Sequence, residues 1–230
     1  MFYDPLYLCL MAPAFLLMLL AQWYVSSAYR RWSRVPLSTQ MTGAEVAEYL
    51  ARRAGLQVRI VPVQGFLSDH YDPRTRTLRL SQKNYYGRSV AAAAVSAHEL
   101  GHALQHATEY KPLALRSALV PVVNIGSYLG WVFLMLGLVL RWANLIWLGV
   151  GIFSLGVIFT LITLPVEFNA SARAKQLLRQ TGIVRTAEEV KGVNQVLNAA
   201  ALTYVASFVN AAVQLLYYVL LASSLGRRRS

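Results

Sequence analysis

WANLIWLGVGIFSLGVIFTLITLPV, residues 142–166, runs for 25 residues without one Asp, Glu, Lys or Arg. A helix needs about 20 mainly apolar residues to cross a bilayer. Three more uncharged windows occur, at 5–29, 117–140 and 192–226, and the four together take 109 of the 230 residues. Each is long enough to span. The pattern predicts a mainly α integral membrane protein with about four transmembrane helices. The other 121 residues suffice for one small polar domain, interrupted by the spans. In chain order the division is 5–29 span one, 30–116 polar region, 117–140 span two, 142–166 span three, 167–191 polar segment, and 192–226 a long helix including span four.

Composition agrees. Hydrophobic residues reach 56% and charged residues only 14%, although 22 Lys+Arg against 10 Asp+Glu leave a net charge of +12. Soluble domains carry about 25% charged residues. A soluble basic protein that binds nucleic acid is therefore disfavoured. A disordered chain would need low hydrophobicity and is excluded. The one cysteine, Cys9, permits no internal disulfide and gives no sign of an oxidising compartment.

Charge predicts orientation. Met1–Asp4 has no Lys or Arg, whereas Arg30, Arg31 and Arg34 follow the first window. A cleaved signal peptide would begin with a basic stretch. The expectation is an uncleaved anchor in a multi-pass protein of the cell membrane. The loop 30–116 holds 13 Lys/Arg, the turn after span two only Arg141, and the segment 167–191 five more. The positive-inside rule puts 30–116 and 167–191 in the cytoplasm. Trp23, Tyr24, Trp142 and Trp147 fall near the expected interfaces. Arg227, Arg228 and Arg229 conflict with this, since four spans would put them outside.

In the polar regions, Thr42-Gly43-Ala44-Glu45 reads as a capping box opening a helix to about Ala54, with Gly55 as its stop. Gln57–Val63 and Thr75–Ser81 read as short strands, the second alternating Leu78 and Leu80 with Thr77 and Arg79. Thr75–Ser81 could offer an edge to an extended substrate. Between them, His70-Tyr71-Asp72-Pro73 reads equally well as a plain turn. Ser89 caps a helix from Val90 past His102, and Thr186–Glu189 forms a second capping box.

The chemistry lies in His98-Glu99-Leu100-Gly101-His102. H-E-x-x-H on a helix places two imidazoles four residues apart on one face, with the glutamate about 100° round. Two neutral imidazoles and a carboxylate suit Zn²⁺ with one position open. Glu99 is then the general base towards a zinc-activated water. His106 continues the series to i+8. Eight residues rise about 12 Å, too far for one ion. A third ligand must come from Asp69, His70, Asp72, Glu109, Glu167, Glu188 or Glu189. Glu188 and Glu189 serve a cap, and Glu109 would have to fold back. Two spans separate His102 from Glu167, so both lie on one side of the membrane. Pro165 would let the chain turn there.

The combination resembles the gluzincin-type membrane zinc proteases. More closely it resembles the YugP-like neutral zinc metallopeptidases, small prokaryotic multipass proteins. The matching stretches are Asp69–Pro73, Ala94–Gln105, Leu115–Ser117, Glu167–Ser171 and Ala200–Ala206. The resemblance implies a small α+β zincin-like domain, His98, His102 and Glu167 as zinc ligands, and Glu99 as base. Many gluzincins carry an aspartate four residues after the ligand glutamate, orienting the first histidine. Here that position is Ser171, which could accept the same hydrogen bond more weakly; otherwise Asn169 or an aspartate from 69–72 does so. Tyr71, His70, Arg173 and Tyr204 are candidates to stabilise an oxyanion. The function expected is a membrane-embedded zinc metalloendopeptidase hydrolysing peptide bonds. Its substrates would be membrane or membrane-proximal polypeptides. An intramembrane protease is the weaker enzyme reading, because only ten residues separate Arg88 from Glu99. The non-enzymatic alternative is a membrane scaffold or assembly factor with a zinc site.

Overall fold

The computed structural model describes residues 4–65 and 68–227. Met1–Tyr3, Arg228 and Arg229 lie outside the described residues, as does the side chain of Arg227. The chain forms seven helices and three strands among them: α1 Pro5–Trp32, α2 Gly43–Arg53, β1 Arg59–Val63, β2 His70–Asp72, β3 Thr77–Ser81, α3 Gln82–Tyr85, α4 Val90–Ala107, α5 Lys111–Val139, α6 Ala143–Gln180 and α7 Ala187–Arg227. Four helices, α1, α5, α6 and the Ala187–Ser224 part of α7, are long and apolar enough to cross a membrane.

Contacts divide the chain into two compact units, one of which comprises Gln22–Leu113 and Pro165–Leu202. It contains the small mixed sheet, in the order β1-β3-β2, with β1 and β3 parallel and β2 antiparallel to β3. The strand expected to offer an edge, β3, is therefore the central one. Leu78 and Leu80 are fully buried, and both of its backbone edges are already paired. His70–Asp72 is not a plain turn but β2 itself. Asp72 closes the hairpin behind it, accepting from the Arg74 amide at 3.0 Å and the Thr75 hydroxyl at 2.7 Å.

The helix caps fall where side-chain chemistry puts them. Thr42 and Glu45 cap α2 reciprocally, at 2.7 and 3.2 Å, and Gly55 takes the left-handed conformation just past its end. Ser89 Oγ accepts from the Ala92 amide to start α4. Thr186 and Glu189 repeat the box at α7, where Glu189 also accepts from the Ser38 amide. Helix α4 runs through the middle of this unit's core. Ala91, Ala92, Ala93, Ala94 and Ala97 are all buried, so α4 is apolar on several faces and its neighbours pack close. Trp32, with its indole N–H donating to Gln195 at 2.8 Å, packs on Gly192, where a Cβ would meet the ring at 2.5 Å.

The remaining described residues form the other unit. Its α5 and α6 segments meet through glycine: a Cβ on Gly137 would lie 2.8 Å from the Ile146 amide nitrogen, and one on Gly149 2.8 Å from that of Leu134. Small residues at such crossings let backbones approach in apolar surroundings. Large apolar side chains such as Phe15, Ile125 and Trp131 point outward. A water-exposed surface would not carry so many.

Helix α6 corrects the expected exit at Pro165. It runs unbroken from Ala143 to Gln180, with Pro165 inside it. Proline removes one amide donor and crowds the preceding turn, but does not force an end to a helix supported by neighbours.

Candidate metal centre

The unit that carries the sheet also carries the site. Helix α4 supplies His98, Glu99 and His102, and α6 supplies Glu167. The four-residue spacing stacks the two imidazoles on one face, with ring centroids 4.9 Å apart. Glu167 is only 1% exposed, and its Oε2 lies 3.2 Å from His98 Nε2 and 3.6 Å from His102 Nε2.

This approach depends on Gly101. A Cβ there would lie 2.6 Å from the carbonyl oxygen of Ala170 on α6. The obstacle is backbone, which cannot rotate away. Glycine at this place in the motif lets the helix with two histidines lie against the helix with the carboxylate.

The far side of each imidazole is also held. His102 Nδ1 is 3.0 Å from Gln105 Oε1. The Gln105 side-chain N–H₂ donates to the Val166 carbonyl at 2.7 Å and to Asn169 Oδ1 at 3.1 Å. A carbonyl can only accept, so this fixes which way the amide points. Oε1 is left to accept from His102 Nδ1–H, and the Nε2 lone pair faces Glu167. His98 Nδ1 lies 3.2 Å from Ser171 Oγ, the position where many gluzincins have an aspartate. Of the alternatives, Asn169 orients Gln105 rather than a histidine, and accepts from Arg173 Nε at 2.8 Å. Gln105 is the residue that sequence reasoning passed over. Its signal was its place three residues after His102, one turn along the same face.

The electrostatics suit a cation. Burial works against charging His102, but the neighbouring Glu167 carboxylate and the charge of Glu99 outweigh it and push the pKa up. Burial pushes the Glu99 carboxyl up, against the opposing pull of His98 and His102.

His98, His102 and Glu167 each offer a ligand atom, all within 4.8 Å of one another, and could hold a metal ion. Bonds of about 2.0–2.2 Å around a tetrahedral Zn²⁺ put neighbouring donors about 3.3–3.6 Å apart. The separations from Glu167 of 3.2 and 3.6 Å match that edge. Among the described residues no other group of three offers the same.

The remaining candidates do other work. Asp69 accepts from the Ser81 amide and hydroxyl and from Asn84 Nδ2, tying the start of β2 to the end of β3. His70 bonds the Ser68 carbonyl at 2.8 Å. Asp72 and Glu189 serve the hairpin and the α7 cap. Glu109 follows the end of α4 in a left-handed conformation, at φ 50°. His106 pairs with the Tyr71 hydroxyl at 3.0 Å.

Residues 7–223 match the family described as "Putative neutral zinc metallopeptidase". The chain belongs to this family. It is 48% identical over 202 residues to "Putative membrane protease YugP" of Bacillus subtilis (strain 168), covering 87% of this chain and 89% of that protein. No solved structure matches. Zinc is the metal of the zinc metallopeptidase family, and the His98, His102 and Glu167 group is where this member could hold it.

Proposed function

We propose that this zinc metallopeptidase family member is an integral membrane endopeptidase. Its ligands are His98, His102 and Glu167, and its general base is Glu99. The observation that carries the assignment is the meeting of three ligand atoms within 4.8 Å of one another, with Glu167 at 3.2 and 3.6 Å from the two histidines, separations suited to tetrahedral zinc. Three protein ligands leave a fourth position open, as catalytic sites do. A purely structural site, as a scaffold would need, is closed by four.

When bound, zinc supplies a Lewis acid that acidifies a water and polarises the scissile carbonyl. The chain's own groups do the rest. Glu99, one residue from the first ligand and buried, takes the proton from the attacking water and passes it to the departing amine. Gln105 holds the His102 tautomer, and Ser171 orients the His98 ring. The substrates are polypeptides in or beside the bilayer, and the site faces the cytoplasm. Four long apolar helices and the heavily basic polar segments support that placement. The same helices favour a lipid bilayer, not nucleic acid, as the chain's surroundings.

Zinc content and peptide hydrolysis by the purified full chain test this together. Glu99→Gln should keep zinc and lose activity by about 10²–10⁴-fold. Glu167→Ala should lose zinc, and Glu109→Ala should not. Loss of zinc from a folded Glu99→Gln protein would overturn the role of Glu99. Stoichiometric zinc in Glu167→Ala would overturn the ligand set.

A further inference from the structure

At the C-terminal end of α1, a cavity of about 270 Å³ opens between the last turn of that helix, α3 and the start of α4. Arg34, Lys83 and Arg88 line it, with Tyr29, Ser89 and no Asp or Glu. All three cations are exposed, and none has a salt bridge among the described residues. Lys83 Nζ sits 5.0 Å from the centre of the Tyr29 ring, which holds it at the cavity wall. The neighbouring Asp69 carboxylate does not line the cavity and accepts from Ser81 and Asn84. Arg88 also reaches a second cavity that contains Glu45, which Arg34 and Lys83 do not line.

The frame is fixed by backbone. Leu37 N–H donates to the Arg88 carbonyl at 2.8 Å, and Val90 N–H to that of Val35 at 3.0 Å. The segment carrying Arg34 is thereby tied to the start of α4, an 18-residue helix whose positive end faces the same space. Arg34 and Lys83 at a positive helix end, with no salt bridge among the described residues and no carboxylate lining this cavity, select an anion, and Arg88 is shared between this cavity and Glu45. Two planar guanidinium groups favour phosphate, which they can bind in bidentate fashion.

The position in the chain chooses the source. The cavity begins at Tyr29, in the last turn of a candidate membrane span that has Trp23 and Tyr24 just before it. Aromatic residues followed by cations mark the level of lipid headgroups. Ser89 lies nine residues before His98, about 13 Å along α4, so this cavity is separate from the metal centre. We propose that it binds the phosphate group of an anionic phospholipid. The inference depends on α1 entering the membrane and is independent of peptidase chemistry.

The test uses the full chain in detergent, titrated with short-chain phosphatidylglycerol, short-chain phosphatidylcholine or inorganic phosphate, with binding read by the shift in thermal midpoint. Phosphatidylglycerol should bind more tightly than phosphatidylcholine by about tenfold or more, and inorganic phosphate should not replace it. Arg34→Gln with Lys83→Gln should abolish that preference. Arg52→Gln with Arg53→Gln, which removes the same charge from the end of α2, should leave it intact. The single variants carry the test should the double variant fail to fold. Equal binding of the two lipids, or equal loss in the Arg52/Arg53 control, would overturn the site. Inorganic phosphate binding as tightly as phosphatidylglycerol would overturn the lipid as its ligand.

Discussion

At the residue scale, each histidine of the site is held by a group behind it. Gln105 is fully buried and joins three elements of the centre: the His102 ring, the Val166 carbonyl and Asn169. Gln105→Ala removes the acceptor that selects the His102 tautomer and leaves a buried imidazole N–H unpaired. Such partners are worth about 10–100-fold in metal affinity. Zinc titration against a competing chelator should show that loss for Gln105→Ala, with a smaller one for Ser171→Ala, whose 3.2 Å contact is longer. The raised pKa of His102 sets a pH dependence for the same titration. A raised value means the metal-free ring holds its proton up to a higher pH than ordinary imidazole, and zinc must displace that proton. Affinity should therefore be full above the raised pKa and fall by about tenfold per pH unit below it. A flat zinc affinity from about pH 8 to 6 would contradict this.

At the element scale, the site exists because two helices touch at a glycine. Gly101→Ala would drive a methyl group towards the Ala170 carbonyl, whose oxygen lies 2.6 Å from the Cβ position. Neither backbone can yield locally, so α4 and α6 must separate, and the 3.2 and 3.6 Å spacings to Glu167 would open. Overpacking of this kind costs about 1–3 kcal/mol. Gly101→Ala should lower the thermal midpoint and zinc affinity together, whereas Glu167→Gln should mainly lower zinc affinity. Sequence makes such elements legible to different depths. The capping boxes at Thr42 and Thr186, and Ser89 before Val90, announce their helices because the chemistry is local. H-E-x-x-H shows two ligands for the same reason. The role of Gly101 is not legible, because the atom it makes room for is 69 positions away in the chain. Strand β2 was hidden likewise: His70–Asp72 is three residues long, and only pairing with β3 makes it a strand. That pairing turned the expected edge strand into a central one. Pro165 misled because a local rule about proline was overridden by the helix on both sides of it.

At the scale of the whole molecule, the long helices and the charge distribution make one claim about placement. The segments 30–116 and 167–191 carry 13 and five Lys/Arg, while the short turn between α5 and α6 carries Arg141 alone. Positive charge held on one side of a multi-pass protein fixes its orientation, since moving it across the bilayer is opposed during insertion. Both segments contribute to the unit that contains His98, His102 and Glu167, so one orientation serves every member of the site. Cys9 is the only native thiol, and Cys9→Ser makes a clean background for labelling. Arg74→Cys places a thiol in the exposed hairpin between β2 and β3, where the Arg74 amide can keep its bond to Asp72. In intact cells an impermeant maleimide should leave this thiol unlabelled, and permeabilisation should expose it. Trp142→Cys, in the exposed turn before α6, should react in intact cells without permeabilisation. The reverse pattern would put the metal centre outside the cell. The charge count would then have failed to set the orientation, and substrates would have to be sought on the other face of the membrane.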